Sequence, residues 1–120
     1  MTTQRQARVQ ELIKEEVSDI LRRELKDPRL GFVTVTDAEV TADLRHAKVF
    51  VSIMGSDEEK TAGMAVLKRA EHFVRQSLGR RISIKVLPEI DFRRDDSAER
   101  GAHMMELLEQ IKHDDDTPAS

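Results

Sequence analysis

The sequence contains no cysteine, tryptophan or tyrosine among its 120 residues. Without cysteine it cannot form disulfides, cysteine-based zinc sites, iron–sulfur clusters or a thiol nucleophile, and a reducing cytosol is the natural compartment. No apolar run approaches the roughly 20 residues that a membrane span needs, and no secretory signal is visible at the N-terminus. We therefore expect a cytoplasmic protein that neither enters nor crosses a membrane.

Motifs for catalysis and for small ligands are also missing. The sequence has neither GxxxxGK[ST] nor GxGxxG, and its four histidines are too scattered to form a metal-ligand pair on one helix face. The carboxylate clusters have plain structural explanations: Asp57-Glu58-Glu59 is typical of a helix N-terminus and Asp114-Asp115-Asp116 of a solvated tail. We predict no enzyme, no metal site and no cofactor.

Charge is what the sequence has in abundance. Charged residues make up 36% of the chain, and the formal net charge is −3. Residues 68–94 nevertheless carry an excess of five positive charges, whereas residues 95–120 carry an excess of six negative charges. The first segment predicts a face that binds a polyanion. The alternative, that each run is only a solvated surface, stays open at this point.

The first half of the chain predicts one helix followed by two antiparallel strands. An apolar stripe at steps of three and four residues covers about Arg5–Lys26, and Asp27-Pro28 ends this helix because proline disfavours a helical residue before it. The β-branched stretch 32–36 and the alternating stretch 47–53 are typical of strands.

The second half predicts a long helix and a third strand. Ser56 to Glu59 fits a capping box, and the helix that it begins continues to Gly79, which suits the position just past a helix end. At roughly 34 Å this helix would span a whole compact domain, so we expect a kink or break within it. Residues 82–92 alternate as in a strand, residues 97–112 indicate a short final helix, and residues 114–120 lack apolar content.

The strongest functional signal is the basic face of the second helix, since surface helices usually alternate the sign of their charges. We predict phosphate contacts mainly from Lys68, Arg69, His72, Arg75, Arg80, Arg81 and Lys85, with Arg5, Arg8, Arg29, Arg45 and Lys48 as secondary candidates. Aromatic residues are scarce, and we place Phe73 and Phe92 in the core, so a protein that reads single strands by stacking is disfavoured. Contacts to the backbone or the shape of a structured RNA fit better.

The predicted order of elements resembles a type II KH domain, and four stretches point to one family. These are RQARV at 5–9, ELKDPRLG at 24–31, LRHAKV at 44–49, and LPEIDF at 87–92 running to DSAERG at 96–101. Together they are similar to the ribosome-binding factor A family of bacterial assembly factors. The resemblance covers about Arg5 to Ile111.

The resemblance implies an α+β fold with a single KH-like domain, in the order helix-strand-strand-helix-kink-helix-strand and with a three-stranded sheet packed on helices. Residues 1–95 would form the core, 96–113 a helical appendage and 114–120 a disordered acidic tail. Members of this family have an Ala-x-Gly kink between two helices where KH domains usually have a GxxG loop. The kink aligns with Ala70, Glu71 and His72, so a histidine stands at the glycine position.

The function that the resemblance implies is that of a non-catalytic factor. It would bind the free small ribosomal subunit and its ribosomal RNA, promote late maturation including 5′-end processing, act as a monomer and take part in adaptation to cold. A second hypothesis is a protein-interaction adaptor that docks a partner through the acidic C-terminal segment with Met104 and Met105. A small enzyme is the third, although the sequence shows no group that favours it.

Overall fold

The computed structural model describes residues 2–97 and 108–109, and in this part the chain forms two helices and three strands. The elements are α1 (Gln4–Arg23), β1 (Val33–Val40), β2 (His46–Ile53), α2 (Asp57–Arg81) and β3 (Glu89–Arg94). This arrangement confirms the predicted α+β class. Most of the final helix expected at 97–112 and all of the tail at 114–120, with the domain limits based on them, lie outside the described residues.

Helix α1 begins at a capping box and ends before the proline. The Thr3 hydroxyl accepts a hydrogen bond from the Gln6 amide at 3.1 Å, and the Gln6 carboxamide accepts one from the Thr3 amide at 2.9 Å. These bonds satisfy amides that the first helical turn leaves without partners. At the other end the Leu25 amide reaches back to the Ile20 carbonyl. The helix therefore ends three residues earlier than the apolar stripe predicts.

The three strands form one mixed sheet in the order β1-β2-β3. Strands β1 and β2 are antiparallel, from Val33 opposite Ile53 to Val40 opposite Ala47, with a register shift between Val35 and Asp37. Strand β3 is parallel to β2, with Glu89 beside His46.

Both helices pack on one face of this sheet. Alternate residues of the central strand β2 point toward them, and these side chains are buried: Ala47, Val49, Val51 and Ile53. Phe92 of β3 and Leu67 and Val74 of α2 are fully buried in the same core. No helix in the described part of the chain is long and apolar enough to cross a membrane.

Of the kink or break expected in the second helix, the break is wrong, because α2 is one helix of 25 residues through Ala70, Glu71 and His72, and the kink stays a prediction. At about 37 Å it is longer than the roughly 26 Å of an eight-residue strand, so it extends past the sheet and need not break to fit. Gly79 lies inside the helix. A Cβ atom there would come within 2.9 Å of a Leu87 methyl carbon, so glycine allows the returning chain to approach closely.

The third strand begins later than the alternation at 82–92 predicts. Strand β3 starts at Glu89, whose amide donates to the Arg45 carbonyl at 2.8 Å. Pro88 stands just before it and has no amide hydrogen to donate to a neighbouring strand. Residues 82–88 instead carry the chain from the end of α2 back to the start of β2.

Candidate nucleic-acid interface

Helix α2 presents a basic stripe to the solvent. Arg69, His72 and Arg80 are exposed, and at 100° per residue they fall on the side opposite the buried residues of the helix. Arg69 and Arg80 are about 16 Å apart along the axis, at 1.5 Å per residue. Phe73 lies on the same stripe and is 39% exposed, so its predicted place in the core is wrong. We call these four residues the α2 stripe.

Two other predicted cations of α2 are bonded to the β3 segment. The Lys68 ammonium lies 2.6 Å from an Asp91 carboxylate oxygen and 3.4 Å from that of Glu71. Arg75 donates to the carbonyls of Leu87 at 3.0 Å and Pro88 at 3.2 Å. These contacts fasten β3 and the segment before it to the helix, which is a structural role that periodicity does not show.

Arg81 has the most heavily paired charge of the predicted set. Its guanidinium lies 2.6 Å from Asp19, 2.6 Å from Glu24 and 3.3 Å from Glu16, all in or next to α1. The hydrogen bond from Arg81, followed by that from Arg22, lowers the pKa of Asp19 to about 2. Its carboxylate partners in turn raise the pKa of Arg81 further. Arg81 therefore fixes the end of α2 against α1.

Lys85 lies at one end of the molecule with cations from two other elements. Lys85 and Arg5, at the start of α1, line a cavity of about 240 Å³, and Arg45 and His46 line a second cavity of about 340 Å³. Val86 borders both. We call Arg5, Arg45, His46 and Lys85 the basic end. All of them except His46 are among the cations predicted from the sequence, and the only sequence signal for His46 is its place beside Arg45.

The turn between β1 and β2 holds Arg45 in place. The Asp43 carboxylate accepts a hydrogen bond from the Thr41 hydroxyl at 2.6 Å and from the Arg45 amide at 3.1 Å. The Thr41 hydroxyl first, and the Arg45 amide second, lower the pKa of Asp43. Leu44 has a φ of 61°, a left-handed conformation that turns the chain back into β2.

The remaining secondary candidates lie apart from one another. Arg8 is exposed on α1, one turn beyond Arg5. Lys48 is exposed on the sheet face away from the helices, between Glu39 of β1 and Asp91 of β3 in the register. Its acidic neighbours make Lys48 a poor phosphate ligand.

Arg29 belongs to the opposite end of α1. Its guanidinium makes two hydrogen bonds to the Asp27 carboxylate, at 2.7 and 3.0 Å, and its amide makes a third at 2.9 Å. The side-chain bonds first, and the amide bond second, lower the pKa of Asp27 to about 2. The Asp27-Pro28-Arg29 sequence is thus a fixed turn whose cation points to solvent.

The residues aligned with the family's kink have three different environments. Ala70 is buried in the core, and His72 is exposed on the α2 stripe. The Glu71 carboxylate accepts a hydrogen bond from the Phe92 amide at 2.7 Å, which ties α2 to the outer edge of β3. Within residues 2–97 and 108–109, no three His, Asp or Glu side chains are grouped to hold a metal ion.

Known proteins similar to this chain share one description. A family model described as ribosome-binding factor A matches residues 5–108. The ribosome-binding factor A of Halothermothrix orenii is 49% identical over 117 residues, which cover 98% of this chain and 96% of that protein.

Solved structures show the same likeness. The crystal structure of ribosome-binding factor A from Thermus thermophilus matches with a TM-score of 0.64 at 28% identity, over 74% of this chain and 94% of that one. A homology model of the Thermus thermophilus factor, as fitted into the cryo-EM map of a 30S complex with that factor, matches with a TM-score of 0.56 at 26% identity, over 78% and 94% of the two chains.

Proposed function

Since this chain belongs to the ribosome-binding factor A family, we propose that it is a cytoplasmic, monomeric, non-catalytic assembly factor that binds the free small ribosomal subunit. Its ligand there is the ribosomal RNA, and its effect is to promote late maturation, including processing of the 5′ end. The similar Thermus thermophilus factor in a 30S complex supports the choice of subunit.

The observation that carries the RNA part of the proposal is the division among the predicted cations. Lys68, Arg75 and Arg81 are bonded within the protein, although Lys68 is itself exposed. The predicted cations of the α2 stripe and the basic end are exposed and lie outside these bonds. Arg80 at the end of α2 is followed within five residues by Lys85, so the stripe leads into the basic end. Cations held outward on a rigid helix suit contact with phosphates.

Such a surface acts by occupancy. Phosphate contacts supply affinity and fix the orientation of the protein, but they carry no sequence information. A protein that neutralises phosphates on two sides of an RNA junction stabilises one arrangement of that junction. The factor must later be released for the subunit to proceed. No group on this surface has to perform chemistry for that effect.

Co-sedimentation with purified small subunits, large subunits and joined ribosomes at several salt concentrations tests the proposal. We expect wild type to bind only free small subunits and to lose affinity as salt rises. The double charge reversal Arg80→Glu with Lys85→Glu removes two exposed cations. It should lower the slope of log affinity against log salt by roughly 1.4 to 1.8, at about 0.7 to 0.9 per phosphate contact.

Lys14→Glu with Arg23→Glu provides the control, because it makes the same double charge reversal on α1, outside the α2 stripe and the basic end. If the double variant at Arg80 and Lys85 bound as well as this control, the proposed surface would be wrong. If wild type bound none of the three particles, the assembly-factor function would be wrong and the adaptor hypothesis would lead.

A further inference from the structure

The loop between α1 and β1 holds an aromatic side chain out in solvent. Phe32 is 70% exposed, although Leu30, two residues earlier, is only 5% exposed and anchors the loop in the core. Gly31 between them has a φ of +66°, a conformation that glycine adopts without strain. The Leu30 amide also donates to the Asp27 carbonyl at 3.0 Å. The exposure of Phe32 therefore follows from how the preceding loop is anchored.

A cavity lies beside this ring. It has a volume of about 600 Å³, larger than either cavity at the basic end, and Phe32 lines it together with Leu21 and Leu25 of the α1 segment. A flat, apolar group bound in this cavity would therefore contact the Phe32 ring and both leucines at the same time.

The charged residues around the cavity indicate the chemical class of the ligand. Arg22 and Lys26 line it, and both are exposed, but the Arg22 guanidinium already lies 2.6 Å from an Asp19 carboxylate oxygen. Asp27 is the one carboxylate among the lining residues, and both of its oxygens accept hydrogen bonds from Arg29. An acidic group entering here meets the Lys26 ammonium and a carboxylate that is already paired. A nucleotide combines the two required properties, because it has a flat base and an anionic phosphate.

We propose that Phe32 and this cavity form a binding site for one unpaired RNA nucleotide, with its base stacked on the Phe32 ring and its phosphate held by Lys26. The inference rests on the proposed function, because it takes RNA as the partner. It adds a base contact at the opposite end of α1 from Arg5, about 30 Å away along a 20-residue helix.

The absence of tryptophan makes a direct test possible. Phe32→Trp introduces the only indole of the chain, and stacking of a base on that indole quenches its fluorescence. We titrate the full-length variant with an unstructured 12-nucleotide RNA and, separately, with the same sequence annealed to its complement. Quenching should appear with the single strand and be absent with the duplex, whose bases are already stacked.

Affinity for the single strand provides a second readout. Phe32→Ala should bind the 12-nucleotide RNA roughly 5- to 150-fold more weakly than wild type, as for other aromatic platforms. Met54→Ala is the matched control: Met54 is 69% exposed and its amide bonds to the Phe32 carbonyl, but its side chain has no ring. We expect wild-type affinity for it, and an unchanged circular dichroism melt for both variants.

The possible results separate this inference from the function on which it rests. If Phe32→Ala bound the single strand as well as Met54→Ala, or if the duplex quenched Phe32→Trp equally, the nucleotide site would be refuted. The function would still stand if small subunits bound wild type and rejected Arg80→Glu with Lys85→Glu. Loss of subunit binding by Phe32→Ala with unchanged affinity for the free RNA would instead indicate a protein contact and overturn the proposal.

Discussion

Replacement of Arg75 by methionine tests whether this predicted RNA-binding cation is part of the fold. The change keeps much of the aliphatic stem but removes two hydrogen bonds, to the Leu87 carbonyl at 3.0 Å and the Pro88 carbonyl at 3.2 Å. Hydrogen bonds from a charged donor contribute about 1.5–3 kcal/mol each. Because these two are only partly buried and water can replace the donor, we expect a loss of about 2–3 kcal/mol for the pair.

The assay is urea denaturation followed by circular dichroism at 222 nm, since the chain has no tryptophan for fluorescence. In a thermal melt followed at the same wavelength, a loss of this size corresponds to a fall of roughly 8–12 °C in Tm, at about 4 °C per kcal/mol for a domain of this size. Arg80→Met is the control, because Arg80 is exposed on the same helix and its loss should change stability by less than about 0.5 kcal/mol. If Arg75→Met and Arg80→Met were equally stable, the reasoning would be refuted.

Further substitutions test the packing and the electrostatics of the fold. The Asp19 carboxylate, whose pKa the Arg81 hydrogen bond lowers from an ordinary 3.8 to about 2, stabilises the fold above pH 4 and loses this contribution as the pH falls toward 2. The urea midpoint of wild type should therefore fall over that range more steeply than that of Arg81→Met, and parallel curves would contradict the assignment. Phe92→Ala should lower the free energy of unfolding by about 3–5 kcal/mol, because the ring is fully buried; a loss below about 1 kcal/mol would show that the core is packed differently. Ser56→Ala should cost about 1 kcal/mol through loss of the bond to the Glu59 amide, and an unchanged midpoint would mean that the cap contributes nothing.

Local signals predicted the elements of this fold well. The capping box at Ser56 and Glu59 marked the start of α2 correctly, because both of its hydrogen bonds form within four residues. The apolar alternation of 47–53 likewise predicted β2. The alternation of apolar residues from Ile82 onward predicted too early a start for β3. A period of two does not distinguish a strand from a connecting segment whose apolar side chains pack against the core.

The candidate site was less predictable, because the partners of its cations are distant in sequence. Arg81 and Arg80 are neighbours with the same charge, yet Arg81 bonds to Asp19, 62 residues away, and Arg80 points to solvent. Helical periodicity separates buried from exposed positions, but it cannot show which exposed cation meets a carboxylate from another element. The proximity of Arg5 to Lys85 was hidden for the same reason.

The hydrogen bond between Glu71 and Phe92 also bears on how these molecules behave when they are crowded. An edge strand with free amides and carbonyls can recruit a strand from another copy, and repetition of that step produces aggregates. On β3 the Phe92 amide is already bonded to Glu71, and on β1 the Val40 carbonyl and amide are bonded to Gln6 and Gln10 of α1. On each edge strand, helix side chains thus occupy backbone groups that a strand of another copy would need for pairing, which makes edge-to-edge association less favourable.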